Sequence, residues 1–496
     1  MSEGSATGAL EAGYARQVAL LLGVILALKL ALLFWLGPAL FPDSHGYIAL
    51  GDDILASRRW LDDGDWLSGP QPLAIVRPYG YPLLIALAKL AAGDRFAYLV
   101  ASIQCMASVA ALALVAAALP ALVRSTALRY AVLVLAAVSG ASLYDDVILS
   151  DSLYASLFIL VAFAIVLDLT GRVRLGGGAL AGLGVAWGLS IWLRDVGLYF
   201  TLFPLIGLVL ASRLHAQGSR ALLAALAAFL APVLVLVAVH MLWNAHRTGH
   251  AFLSVAASVN WLWPSANIAS LGLGDPFDGS DLVSQAAKSH AIKPGLAGMY
   301  QLVDLLWRDY GLDPAAIGHA TFSHFVAMLG RHPFAYLASV AVNLQPERLA
   351  DFLLNPLANF NDFLQLGPTA APRVIPGVRE LRAMPHAQAL WHAALLGPLL
   401  LALGIAALAG LALIALGTPV IAFRRRHREP PGRAAAAAFL WLTFMGVTGA
   451  FALLHLEMRY VLPVLPAALV ALGYCLDGVR LPRPIGLASA KKPGHS

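Results

Sequence analysis

The feature that most restricts this chain is a set of apolar runs, several of them about 18 residues or longer, with hardly a charged side chain among them. A helix needs roughly 20 residues to cross a hydrocarbon core of about 30 Å. Lipid offers no partners to peptide N–H and C=O groups, so each run must satisfy its backbone internally, as an α-helix. The competing reading is a large soluble helical protein. It needs more polar surface than this sequence has, since 60% of the 496 residues are hydrophobic and 12% are charged. The runs predict membrane helices at 17–38, 94–119, 126–144, 150–170, 177–193, 196–212, 220–244, 390–416, 434–454 and 460–478. The pair 177–193 and 196–212, parted only by Arg194 and Asp195, reads either as two thin spans with a tight turn or as one broken region.

Basic residues set the orientation. With the N-terminus in the cytoplasm, the loops on that side carry Arg124, Arg129, Arg172, Arg174, Arg213 and Arg220. They also carry Arg424, Arg425, Arg426, Arg428 and Arg433, and the tail adds Arg480, Arg483, Lys491 and Lys492. The short loops opposite hold Arg194 and Arg459. This bias follows the rule that lysine and arginine stay inside, and it explains the net charge of +6 without nucleic acid as a partner. Cys105 and Cys475 lie in apolar runs with no CxxC spacing, so neither a disulfide nor a thiolate metal site is expected. The polar segment before the first run lacks a small-residue cleavage site, so that run reads as a retained helix. The expected location is a bacterial inner membrane, with many crossings and both termini cytoplasmic.

The expected organisation has three parts. Residues 1–244 form a membrane module with a long outer loop at 39–93. Residues 245–389 form a larger outer loop, in which helical periodicity at 316–342 predicts a small cap of short helices. Residues 390–496 supply the last membrane helices and a cytoplasmic tail.

The unusual polar motifs gather on the outer side. FPDSHGYIALGDDILASRRW opens the first loop, with apolar residues at 47, 50, 54 and 55 in helical spacing, which predicts an interfacial helix. Asp43 stands at its start, where a helix cap is the simplest explanation, and Tyr47 lies one turn on. Arg77 precedes a stiff Pro-x-Gly-x-Pro turn and is either a headgroup anchor or a fixed guanidinium for a phosphate. LYDDVILSDSLYASL places Asp145, Asp146 and Asp151 together, more carboxylates than capping of the following helix requires. Arg194 and Asp195 could be no more than an internal ion pair. HLEMRYVLPVLP packs His455, Glu457, Arg459 and Tyr460 between two apolar helices, where ionisable groups are costly unless they have work to do. Lys29, inside the first run, either snorkels or lines a cavity. These clusters span more than 400 residues, yet an orientation chosen from other residues puts all of them on one face. A site embedded at the membrane boundary explains that economically.

The ordered set PDSHGY, RPYGYPLL, ILSDSLY, RDVGLY, HPFAYL and EMRYVLPVLP resembles the GT-C superfamily of membrane glycosyltransferases, in particular the bacterial branch akin to protein mannosyltransferases and lipid A aminoarabinose transferases. The resemblance implies an all-α, GT-C-like bundle of about ten membrane helices, with an interfacial helix in the first loop and a small helical cap. It also implies a sugar transferase whose donor is a polyprenyl-phosphate-linked sugar and whose acceptor is a glycan, lipid or protein. Asp43 matches the family's catalytic base, and Arg77, Arg194 and Arg459 match positions near the donor phosphate. Asp151 stands where the family often has glutamate, which keeps the charge and shortens the reach. Tyr47, Asp146, His455, Glu457 and Tyr460 complete the expected substrate-binding set.

Two other functions fit parts of the pattern. A flippase for a lipid-linked sugar would show related halves and broken helices near mid-membrane, and neither is evident. A ligase that moves a whole glycan from a lipid pyrophosphate would share the outer arginines and the large loop. Asp145 and Asp146 with His45 or His455 could serve a divalent cation, although no spacing resembles a dedicated site.

Overall fold

The computed structural model describes residues 3–57, 76–140, 144–293, 295–357, 359 and 385–477. The apolar runs become helices, and no β-strand is present among the described residues. The first half contains α1 (Glu3–Leu36), α2 (Pro42–Ser57), α3 (Gly80–Ala92), α4 (Phe96–Leu122), α5 (Thr126–Val138), α6 (Ser150–Leu169), α7 (Gly177–Leu193), α8 (Leu202–Leu214) and α9 (Ser219–Thr248). Then come six shorter helices: α10 (Ala256–Ser270), α11 (Leu282–Ser289), α12 (Leu296–Arg308), α13 (Pro314–Arg331), α14 (Pro333–Leu344) and α15 (Pro346–Leu354). The chain closes with α16 (His386–Ala412), α17 (Pro431–Leu454), a 3-10 helix at Met458–Val464 and α18 (Leu465–Leu476).

Among the described residues, eight helical segments are long and apolar enough to cross a membrane, or up to nine if the bent pair at Pro314–Arg331 and Pro333–Leu354 counts as one span. The protein is therefore a multi-pass membrane protein. Two of the ten expected spans fall short of crossing length. α5 stops after 13 residues, because Ser139 turns to extended backbone and its hydroxyl donates back to Ala136 O at 2.8 Å. α7 has 17 residues. It is rich in glycine, and Gly184 and Gly188 press directly on Phe229, Pro232 and Leu236 of α9, an approach that side chains at those two positions would block.

Between 252 and 331 the chain forms a group of short helices, α10 to α13, called the cap below. It has its own apolar centre of Val255, Val259, Leu262, Met299, Leu302 and Leu306, among others. Asp281 and Asp313 cap α11 and α13 by accepting from the backbone N–H groups of Ser284 and Ala316, and Pro314 begins α13 where its missing N–H costs nothing.

Two segments that precede functional helices are fastened together. Ala39 N–H donates to Asp146 O at 2.9 Å, and Ile148 N–H donates to Ala39 O at 3.0 Å. Gln104, buried in α4, donates to the carbonyls of Asp145 and Val147 at 2.8 Å each and accepts from the Tyr81 hydroxyl at 2.7 Å. Lys29 neither snorkels nor lines the polar cavity described below: its ammonium meets Asp145 at 2.6 Å, both groups buried. The entry to α2 is thereby held beside the entry to α6.

Asp146 takes part through its backbone, while its buried carboxyl accepts from the Cys105 thiol at 3.6 Å. Burial, with the Asp145 carboxylate adding to it and Lys29 opposing, pushes the Asp146 carboxyl up to about 6. A carboxyl raised on folding binds a proton more tightly in the native state, so stability falls as pH climbs from about 4 to 6. Asp146→Asn removes that loss. The variant is expected to be about 1–3 kcal/mol more stable than the native chain above pH 6, at about 1.4 kcal/mol per pKa unit, and no more stable near pH 4. Unfolding in detergent at the two pH values measures the difference.

Candidate active site

Five parts of the chain meet in one cavity of about 90 Å³. α2 brings Asp43 and Tyr47, and the turn before α3 brings Arg77. The start of α6 brings Asp151, and the break after α7 brings Arg194 and Asp195. The stretch after α17 brings His455, Glu457, Arg459 and Tyr460. The cap closes over these with Asn260, Trp263 and Tyr300. Glycine makes one junction feasible: a Cβ on Gly80 would lie 2.5 Å from Trp192 O, so the Arg77 turn can press on the end of α7 only without a side chain there.

Asp43 is the hub. One carboxylate oxygen accepts from Arg77 at 3.0 Å and the other from Arg459 at 2.8 Å. Its side chain is thus committed to two guanidinium groups from distant parts of the chain, a role that simple helix capping does not describe. Burial alone would raise its pKa, but Arg77 and Arg459 outweigh that and hold the carboxyl below its ordinary value. It stays ionised at neutral pH.

The surrounding contacts fix the arginines. Arg77 lies over the Tyr47 ring, 4.4 Å from its centroid, and the Tyr47 hydroxyl meets Ser150 Oγ at 3.0 Å. Arg77 Nε is buried with no acceptor among the described residues. Arg194 pairs with Asp151 and lies over Tyr460 at 4.9 Å. Arg459 also pairs with Glu457, which accepts from His455 at 2.9 Å if that nitrogen carries the proton. Burial works against ionisation of Glu457, yet His455 and Arg459 bring its pKa below the ordinary value. Asp195 does not simply neutralise its neighbour Arg194. It accepts from Ser254 Oγ at 2.5 Å, and burial leaves its carboxyl above the ordinary value despite that bond and Arg194.

Nine of the ten residues singled out from sequence line this cavity: Asp43, Tyr47, Arg77, Asp151, Arg194, His455, Glu457, Arg459 and Tyr460. Asp146 does not, because it faces Cys105 in the brace described above. Among the described residues, no group of three or more His, Cys, Asp and Glu side chains is placed to hold a metal ion. His45 is exposed and His455 serves Glu457.

Sequence reasoning missed Asn260, Trp263 and Tyr300. Asn260 and Trp263 carried a weak signal, an amide and two indoles in the run Asn260-Trp261-Leu262-Trp263, and Tyr300 carried none. Trp263 packs closely against His455, with ring centroids 3.8 Å apart and planes tilted by 54°.

A second hollow of about 190 Å³ is lined in part by residues close in sequence to those of the first. Its lining is Ile54, Tyr79, Leu83, Trp192, Val239, His240 and Trp243, so it is almost wholly apolar. Tyr79 follows Arg77 by two residues and Trp192 precedes Arg194 by two. Val239, 45% exposed, puts its rim at the outer surface of the helices.

The pairing of a guanidinium-lined polar cavity with an apolar hollow suits an amphiphile that carries an anionic group. Comparison of the chain with protein-family models, with curated proteins and with solved structures finds no match in any of the three.

Proposed function

We propose that the protein is a glycosyltransferase that moves a sugar from a polyprenyl-phosphate carrier to a glycan, lipid or protein acceptor, on the periplasmic side of a bacterial inner membrane. The observation that carries this reading is the convergence of Asp43 with Arg77, Arg194 and Arg459 around one cavity, together with an apolar hollow whose lining includes Tyr79 and Trp192, two residues from Arg77 and Arg194 respectively. The ordered motifs that resemble the GT-C superfamily support it, and both ends of the chain are then placed in the cytoplasm.

In this reading the lipid chain occupies the apolar hollow and the phosphate meets the arginines. The acceptor hydroxyl attacks the anomeric carbon from the side opposite the phosphate, giving inversion. The new carbon–oxygen bond forms as the bond from carbon to phosphate oxygen breaks. The hydroxyl proton passes to Asp43, and the leaving phosphate keeps the electron pair. Charge grows on phosphate in the transition state, where fixed guanidinium donors stabilise it most.

The resting geometry adds a condition. A carboxylate held by two guanidinium groups is a weak base. An arriving phosphate competes for Arg77 and Arg459, and each bond it takes from Asp43 returns basicity to that carboxylate. Donor binding would thus prepare the base.

Arg77→Ala tests the phosphate clamp. One charge-assisted bond contributes about 1.5–3 kcal/mol, so the donor Kd is expected to rise roughly 10- to 150-fold. Arg77→Lys should recover only part, because an ammonium cannot offer the forked donor pair. Binding of a polyprenyl-phosphate sugar to the purified protein measures both, and an unchanged Kd in Arg77→Ala would count against the clamp.

A further inference from the structure

α14 has its polarity reversed. Its three polar side chains, Tyr336, Ser339 and Asn343, recur at helical spacing on one face, and that face points into the protein. Tyr336 donates to Leu453 O at 2.9 Å. Asn343 donates to Ala452 O at 3.2 Å and accepts from Asn267 at 3.2 Å, and Ser339 is buried. The opposite face carries Phe334, Leu337, Val342 and Leu344, all exposed, with Phe334 at 84% and Leu337 at 60%. A helix that meets water has the opposite arrangement, and a contiguous exposed apolar face marks contact with another phase or partner.

The position of the helix identifies the phase. Its inward bonds end on Ala452, Leu453 and Leu454 O, the last residues of the membrane-spanning α17. Leu453 on that span is itself 51% exposed. α13 and the stretch from Pro333 to Leu354 meet at a bend of 107°, and together they are long and apolar enough for a broken span or a re-entrant loop. The charged residue at the bend, Arg331, is turned back into the cap, where it pairs with Asp278 at 2.9 Å.

We propose that α14 is a re-entrant element whose apolar face lies in the acyl region of the lipid leaflet at the cavity end of the bundle, so that the cap is anchored in the bilayer. The anchor bears on the site through α10. Asn267 of α10 is bonded to α14, Trp261 packs on Phe322 and Phe325 of α13, and Asn260 and Trp263 on the same helix wall the cavity. Lipid contact at α14 therefore sets where that wall stands. This inference rests on the membrane character of the chain and is independent of the proposed reaction.

The test places a nitroxide at one position at a time in the full chain, in phosphatidylcholine vesicles. Cys105→Ala and Cys475→Ala remove the native thiols. Phe334→Cys, Leu337→Cys and, at an exposed position of α12, Gln301→Cys carry the probe. Collision rates with oxygen and with a water-soluble nickel chelate are then compared. Oxygen is expected to exceed the chelate several-fold at 334 and 337, with the order reversed at 301. Chelate access equal to or above oxygen at 334 and 337 would put the face in water and overturn the proposal. Exclusion of both reagents there would mean that protein, a second copy or another chain, covers the face, and would overturn it equally. The two positions are separate exposed sites, so a folding failure in one leaves the other to decide.

Discussion

Asparagine in place of Asp43 is expected to lower sugar transfer by about 10²- to 10⁴-fold, the range for loss of a positioned proton acceptor, while donor affinity holds or improves. The two responses diverge for a structural reason. The asparagine amide could still accept hydrogen bonds but could not take up the acceptor proton. Being neutral, it would also release Arg77 and Arg459, which the native carboxylate holds at 3.0 and 2.8 Å, so phosphate would meet less competition. A residue that only braced the cavity would, when lost, weaken binding and turnover together. Turnover and donor Kd of the purified variant in lipid nanodiscs separate the two roles. Near-native turnover would remove Asp43 from the chemistry.

Methionine in place of Lys29 is expected to destabilise the protein by about 3–5 kcal/mol, because Asp145 would be left charged and unpaired inside the bundle. Adding Asp145→Asn should restore most of that loss, since no lone charge then remains, although Ser152 Oγ and the Asp145 side chain also share a bond that the amide must keep. The expected activity follows from the connectivity. Lys29–Asp145 and the Ala39 backbone pairing hold the entries of α2 and α6 side by side, and those entries carry Asp43 and Asp151. The single variant should therefore lose activity at temperatures where it is still largely folded. Unfolding in detergent of the native chain, the single and the double variant gives the comparison. A double variant no more stable than Lys29→Met would show that the ion pair is not the source of the loss.

Much of this was legible in the sequence, because membrane helices are encoded locally. Lipid forces every apolar run to satisfy its own backbone, so the placement of helices needed no tertiary information. The one span that came out clearly shorter than its apolar run is α5, while α7 keeps the bounds 177–193 read from sequence. α5 ends at Ser139, and the glycine face of α7 is explained by α9 pressing on it. The candidate site was legible for a different reason. Charged groups are costly at a membrane boundary, so Asp43, Arg77, Asp151, Arg194, Glu457 and Arg459 stood out against an apolar background. Asp146 stood out equally, and nothing local distinguishes a carboxylate that lines a cavity from one that faces Cys105. Tyr300 was invisible because aromatic residues are ordinary in a cap. Its place on the cavity wall comes from how α12 packs over the bundle, and no pattern along the chain records that.

On the proposed reading, groups far apart in sequence form one site that transfers a sugar from a lipid carrier. Mass spectrometry of envelope glycans and glycolipids tests it most directly, in cells lacking the gene and in cells given back either the native protein or Asp43→Asn. The expected result is loss of one sugar from a defined envelope species, restored by the native protein and not by the variant. An unchanged envelope, or full restoration by Asp43→Asn, would contradict it.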